Sequence, residues 1–383
     1  MPLFQILMGK TLPLTNLLRR QSLYAVLTVL MSTVACLLLV EWALTWHRDR
    51  IQSSEYMAPG LIRYHAIRGW QLSPNWAGEH RHYDYSVRYT VNAQGFREPS
   101  TPFYKGKIIA LVGDSFTFGL GVNDAETFSA QLNKRDRTNT YLNFGIPGYS
   151  TDQELLFLES EILDIQPDIV VLFFYLGNDL LDNVLDYPLQ AEQAKPFFSL
   201  SNETLTLQNT PIPRAPKSAK LRTTTLQAII FGDELVAMEP WWAGLARSSQ
   251  ILRLLLGDHA RVNSEVVKDL LTTRLVQQRR LASALITRIR EQVTASDARL
   301  IIAPLPGRSF IRAPGSYSAL FQDHVRNFVA SLAESNGLEV IDVADELLAQ
   351  NVDDVMLFHP NEGHLTVEGH AAVARIVLAS MTE

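Results

Sequence analysis

The chain has 383 residues, 47% of them hydrophobic, a formal charge of −6 and a single cysteine, Cys36. That length accommodates one large α/β domain with additions. The acidic balance argues against a nucleic-acid partner, and a lone cysteine excludes an intramolecular disulfide and leaves the redox compartment unread.

Residues 1–22 carry only the charges of Lys10, Arg19 and Arg20. Residues 23–46 follow as an apolar stretch. Its first 18 residues, Leu23 to Val40, are uncharged, and at ~1.5 Å per residue they cover about 27 Å, close to a hydrocarbon core of roughly 30 Å. The positive-inside rule places the amino terminus in the cytoplasm, with Trp42 and Trp46 as anchors at the far interface. Glu41 is expected near the helix end, reaching the headgroups. No Ala-x-Ala site closes the run, so it is expected to be a retained signal anchor. The remainder of the chain would then be periplasmic or extracellular.

Residues 47–105 form an entry segment with strand character at 83–91 and a turn at 92–97. His80 and His82 fall on one strand face with no third ligand in sight, and are expected to be a solvated pair. Gly119-Leu120-Gly121 lacks the third glycine of a dinucleotide fingerprint. Neither a metal nor a cofactor is expected.

From 106 to 383 strands and helices alternate. The expected strands are 107–112, 140–144, 168–175, 299–303 and 338–343, and the expected helices 125–134, 151–165, 264–295, 316–335 and 366–380. Near-continuous apolar strands separated by helices predict a parallel sheet covered on both faces. Residues 181–262 exceed the roughly 2–6 residues of a plain connection and are read as an insertion. They hold a Pro-bearing polar stretch (209–217) and an amphipathic one (241–256). A cap over the site, an element resting on the membrane and peripheral packing are all open to this segment.

Chemistry-bearing residues gather after the strands. Gly113-Asp114-Ser115-Phe116 follows the first. Asn143-Phe144-Gly145-Ile146-Pro147-Gly148 ends the second, and Leu176-Gly177-Asn178-Asp179 follows the third. Near the carboxyl end stand Asn361-Glu362-Gly363-His364 and Glu368-Gly369-His370. In order, these segments resemble the four blocks of the SGNH (GDSL-type) hydrolase superfamily. Together with Asn92-x-x-Gly95-Phe96-Arg97 they are similar to its membrane-anchored bacterial members. The resemblance covers residues 85–180 and 299–380. It implies a three-layer α/β/α, flavodoxin-like fold with a five-stranded parallel sheet.

The resemblance further implies a serine esterase acting on an acyl ester of a lipid or carbohydrate. An acyltransferase to envelope glycans with the same Ser-His site, or a non-catalytic assembly component, are the alternatives. Ser115 would be the nucleophile and His364 the base, since imidazole titrates near working pH. The oxyanion hole would combine the Ser115 and Gly148 backbone N–H groups with the Asn178 amide, Gly145 competing with Gly148. Asp114 and Asp179 would support the loops. His359 is a loop candidate and His370 a structural one. The family's acid lies three residues before the histidine, where this chain has Asn361. Glu362, two residues before, is the aligned carboxylate. A dyad oriented by Asn361 or a main-chain carbonyl, or an upstream Asp353 or Asp354, stay open.

Overall fold

The computed structural model describes residues 14–53, 55–97, 104–189, 191–215, 230, 249–252 and 264–382. The chain divides into two compact units, 1–52 with 241–259, and 53–240 with 260–383.

In the first unit the helix Leu14–Ser53 contains a stretch, Ser22–Ile51, long and apolar enough to cross a membrane or to serve as a signal sequence. The one acidic residue within its apolar part, Glu41, has partners in the same unit. The Glu41 carboxylate accepts from Ser249 Oγ (2.9 Å) and from the backbone N–H groups of Gln250 (2.6 Å) and Ile251 (3.1 Å). A carboxylate suits such a place, because the opening N–H groups of a helical turn have no internal partners. The rest of the amphipathic stretch 241–256 lies outside the described residues.

The second unit begins with small antiparallel sheets. Strands β1 (Tyr56–Met57), β2 (Ile62–His65), β3 (Gly69–Leu72), β4 (Ala77–Arg81) and β5 (Ser86–Thr90) pair as β1-β4-β5 and β2-β3. The five main strands are β6 (Ile108–Gly113), β7 (Thr140–Gly145), β8 (Ile169–Tyr175), β11 (Arg299–Leu305) and the short β12 (Glu339–Val340). Between them the hairpin β9 (Phe197–Ser201) and β10 (Thr204–Gln208) rises from the insertion. The main sheet runs β12-β11-β8-β6-β7 with every pair parallel.

Alternation along the strands buries both faces. Ala110, Val112, Leu172 and Ile302 pack with the helices Thr151–Phe157, Val276–Ala295 and Tyr317–Asn336 on one side. Ile109, Leu111, Val171 and Ile301 join Phe128–Arg135, Val343–Ala349 and Val367–Thr382 on the other. This is the three-layer α/β/α arrangement with a five-stranded parallel sheet that the resemblance implies. The expected helix at 151–165 passes through a π turn and a 3₁₀ turn after Phe157, and that at 264–295 is broken at Leu275. In this order of strands the chain reverses direction across the sheet beside β6. Ligands of open α/β sheets bind at that switch point, beyond the carboxyl ends of the strands.

Candidate active site

Ser115 leaves β6 at that point, as the first residue of the short helix Ser115–Phe118. Asp114 caps it, its Oδ1 accepting from the Phe116 N–H at 2.9 Å. Burial pushes the Asp114 carboxyl up to about 6. The turn after the helix is gripped from the entry segment. Arg97, 2% exposed, donates to the carbonyls of Phe118 (2.7 Å), Gly119 and Val122 (2.5 Å) and pairs with Asp124 at 3.0 Å. Its guanidinium also stacks on Tyr89 and Phe118.

His364 arrives from the far end of the chain. Its Nε2 lies 2.7 Å from Ser115 Oγ, and its Nδ1 2.5 Å from Glu362 Oε1. Glu362 Oε2 accepts from the His364 backbone N–H at 3.0 Å. Burial disfavours a charged imidazole, yet the charge and hydrogen bond of Glu362, aided by Asp114, hold His364 above its ordinary value. Burial likewise opposes ionisation of Glu362, but the histidine's charge and hydrogen bonds win and keep the carboxyl low. Asn361 points elsewhere: its Nδ2 donates to Asp84 at 2.6 Å. Asp354 pairs with Arg308 (2.5 Å), and Asp353 Oδ1 accepts from the Val355 N–H. The two ring nitrogens of His364 meet Glu362 and Ser115, not either aspartate.

The two glycines at and beyond the end of β7 separate by geometry. A Cβ on Gly145 would sit 2.0 Å from the Phe118 nitrogen, so glycine there lets the strand end approach the Ser115 helix. Gly148 has φ +80°, and its N–H donates to no group among the described residues. The left-handed region is open to glycine at little cost. The loop holding it is fixed by Trp70 Nε1 donating to the Pro147 carbonyl (2.9 Å) and Tyr149 OH donating to the Trp70 carbonyl (2.5 Å).

Asn178 is 3% exposed and donates one amide hydrogen to Asp182 Oδ2 at 2.5 Å. Asp179 Oδ2 accepts from the Tyr175 N–H at 2.7 Å. The insertion contributes a residue no sequence signal marked. Lys195, fully buried, pairs with Asp152 and donates to the Asp182 carbonyl at 2.8 Å. Asp152 in turn accepts from Ser150 Oγ and the Gln153 N–H. One ammonium thus ties the loop after Gly148 to the turn after Asn178.

Asn178, Glu362 and His364 line a cavity of about 570 Å³ with Phe116, Tyr175, Arg308 and Ser309, and Ser115 adjoins it through its contact with His364. The other histidines are placed apart from it. His370 is fully buried and its Nδ1 accepts from the Phe128 N–H at 3.2 Å. His359 packs on the Tyr85 ring at 4.9 Å. The expectation of a solvated His80–His82 pair is corrected: His80 is 1% exposed and its Nδ1 meets the Tyr89 hydroxyl at 2.8 Å. Burial depresses it to about 4. The His82 side chain is 9% exposed, packed against Tyr85.

Fold and site define an ester-hydrolysing enzyme of the SGNH type. The chain belongs to the GDSL-like lipase/acylhydrolase family, whose model matches residues 111–372. No curated protein matches the sequence. Among solved structures it is similar to a putative lipolytic G-D-S-L protein from Desulfitobacterium hafniense, at 15% identity and TM-score 0.35, covering 71% of this chain and 99% of that one. A lipase/acylhydrolase from Enterococcus faecalis gives 16% and 0.37, covering 72% and 95%. A catalytic mutant of an acetylxylan esterase from Geobacillus stearothermophilus gives 13% and 0.39, covering 73% and 95%.

Proposed function

We propose that this enzyme cleaves carboxylic esters, O-acyl or O-acetyl, through an acyl-serine intermediate, and that it works outside the cytoplasmic membrane on an N-terminal signal anchor. The observation that carries the reading is the unbroken series Glu362 Oε1, His364 Nδ1, His364 Nε2, Ser115 Oγ, with links of 2.5 and 2.7 Å.

Ser115 Oγ attacks the ester carbonyl carbon while His364 Nε2 takes the hydroxyl proton. Glu362 keeps Nδ1 protonated and stabilises the imidazolium that forms. The oxyanion is held by the Ser115 and Gly148 N–H groups and by the second amide hydrogen of Asn178. Collapse breaks the bond to the alcohol, which leaves with the proton from His364. Water, deprotonated by the same imidazole, then attacks the acyl-serine and releases the carboxylic acid, restoring Ser115. The fixed Gly148 loop and the Asp182-held Asn178 support this assignment, because such donors contribute most when they need no reorganisation.

The anchor reading rests on the apolar helix and on Lys10, Arg19 and Arg20 before it. The test is a fluorophosphonate probe with a panel of short-chain, long-chain and sugar acetates. Wild type should label and Ser115→Ala should not. Wild type that neither labels nor hydrolyses any member would overturn the reading, and acetyl transfer to a glycan in place of acetate release would assign an acyltransferase.

A further inference from the structure

The hairpin turn between β4 and β5 reaches the proposed acid. Asp84, its side chain 4% exposed, presents both carboxylate oxygens to the loop that carries Glu362. Oδ2 accepts from the backbone N–H groups of Asn361 (2.7 Å) and Glu362 (3.0 Å), and Oδ1 accepts from Asn361 Nδ2 (2.6 Å). The residues lie 277 and 278 positions apart in sequence.

The loop needs such a hold. Glu362 stands only two residues before His364, so its side chain must curl back, with one oxygen on the ring and the other on the His364 N–H. Between them Gly363 sits at φ +96°, a conformation that glycine adopts without steric cost. The loop closes through His359 N–H to the His364 carbonyl (2.8 Å), Gly363 N–H to the His359 carbonyl (2.9 Å) and Thr366 N–H to the Leu357 carbonyl (2.9 Å), and Arg308 donates to the Pro360 carbonyl. None of these holds the Asn361–Glu362 peptide, one of the two that flank the Glu362 side chain. Asp84 does, by accepting from the N–H of that peptide.

We infer that Asp84 is a positioning residue for ester cleavage, acting through the Glu362 backbone to keep the carboxylate against His364. The entry segment is then part of the working site although it lies outside residues 111–372. This inference rests on the serine-esterase reading above.

The experiment uses the full chain in detergent micelles, with Asp84→Ala, Asp84→Asn and Asn361→Ala. Hydrogen exchange over 359–364 reports the hold itself, independently of chemistry. Fluorophosphonate labelling of Ser115, and kcat and KM on p-nitrophenyl acetate, report its consequence. Asp84→Ala should speed exchange in that loop and lower kcat and labelling rate about tenfold or more, with KM within about twofold, as a small misplacement of a catalytic group does. Asp84→Asn should recover most of the rate, because its oxygen still accepts from both N–H groups and the Asn361 amide can turn to meet the new NH₂. Asn361→Ala should fall between wild type and Asp84→Ala, and with Asp84→Asn it carries the test if Asp84→Ala does not fold. Unchanged exchange, a wild-type labelling rate in Asp84→Ala, or an Asp84→Asn protein as slow as Asp84→Ala would overturn the inference. Exchange that responds in a protein whose wild type never labels would sink the esterase reading itself, and the positioning role with it.

Discussion

Glu362 holds His364 at two points, Oε1 at 2.5 Å from the ring and Oε2 accepting from the backbone N–H at 3.0 Å. The longer arm of glutamate lets a residue only two positions away fold back onto its neighbour's imidazole. Glu362→Gln keeps the shape and removes the charge, and kcat is expected to fall by about 10²- to 10⁴-fold, as when a triad carboxylate is neutralised in a serine protease. Glu362→Asp is expected to lose about 10²-fold because the shortened arm cannot satisfy both contacts. Steady-state hydrolysis of p-nitrophenyl acetate, with Ser115→Ala as the floor, measures both. A Glu362→Gln enzyme at wild-type rate would leave a Ser-His dyad.

The pH profile offers a second check on the same pair. Burial pulls the imidazole down, but the Glu362 charge and hydrogen bond outweigh it and hold His364 above its ordinary value. Only the neutral ring can take the serine proton, so kcat/KM rises with pH as His364 deprotonates. Removing the carboxylate charge lowers that pKa. The ascending limb of Glu362→Gln should therefore move to lower pH while its plateau drops, and a limb that stays in place would separate Glu362 from the titration.

Much of the sheet was legible because its strands are dense apolar runs. Ile169–Tyr175 is one, and each such run ends in a turn-forming block. The candidate site residues were legible for the same reason: Ser115, Gly148 and Asn178 each follow a strand end. The last strand came out shorter than expected, Glu339–Val340, since only those two residues pair with β11. Of the residues that steady the site, Arg97 stood in the Asn92-x-x-Gly95-Phe96-Arg97 block, whereas Asp84 and Lys195 carried no local signal. Their roles arise from partners brought close only by folding, 277 positions away for Asp84. The β9–β10 hairpin did carry a signal, alternation on either side of Asn202-Glu203, both at positive φ.

The proposed oxyanion hole makes a distinct prediction. Asn178→Ala should lower kcat by about 10²–10³-fold with little change in KM, the usual cost of one lost donor. Gly148→Ala keeps the N–H but forces a side chain into φ +80°, with its Cβ 3.3 Å from the Trp70 ring. The left-handed penalty of about 1–2 kcal/mol should appear in stability, and the displaced N–H in kcat. Steady-state kinetics and thermal melts on the two variants separate these effects, and an Asn178→Ala kcat within twofold of wild type would remove it from the hole.

Lys195 is the buried cation joining the two donor loops. Lys195→Met leaves Asp152 buried and unpaired, which costs about 3–5 kcal/mol for a buried pair broken on one side. The double variant Lys195→Met/Asp152→Asn should regain most of that stability, since no lone charge remains. It should not regain kcat if the ammonium's bond to the Asp182 carbonyl aligns Asn178. Denaturant unfolding and turnover of the single and double variants are the measurements, and full recovery of both would make Lys195 a fold contact only.

Glu154 and Asp179 are buried close to the carboxylate of Asp114. Glu154 is 1% exposed with neither oxygen hydrogen-bonded, and Asp179 is fully buried with one oxygen unpartnered. Burial, reinforced for Glu154 by the charges of Asp114 and Asp152, raises its pKa well above the usual carboxylate range. Burial and the charges of Glu154 and Asp114 do the same to Asp179. The native state therefore keeps protons that the unfolded chain loses above about pH 4, so folding binds protons and stability falls as pH rises toward the native pKa values. Each such group contributes up to about 1.4 kcal/mol per pH unit across that window. Glu154→Gln presents a neutral group at every pH. Its melting temperature should fall less steeply than wild type as pH rises above the ordinary carboxylate range, and should exceed wild type at the alkaline end. Parallel melting curves for the two proteins would mean that Glu154 is not the proton-holding acid.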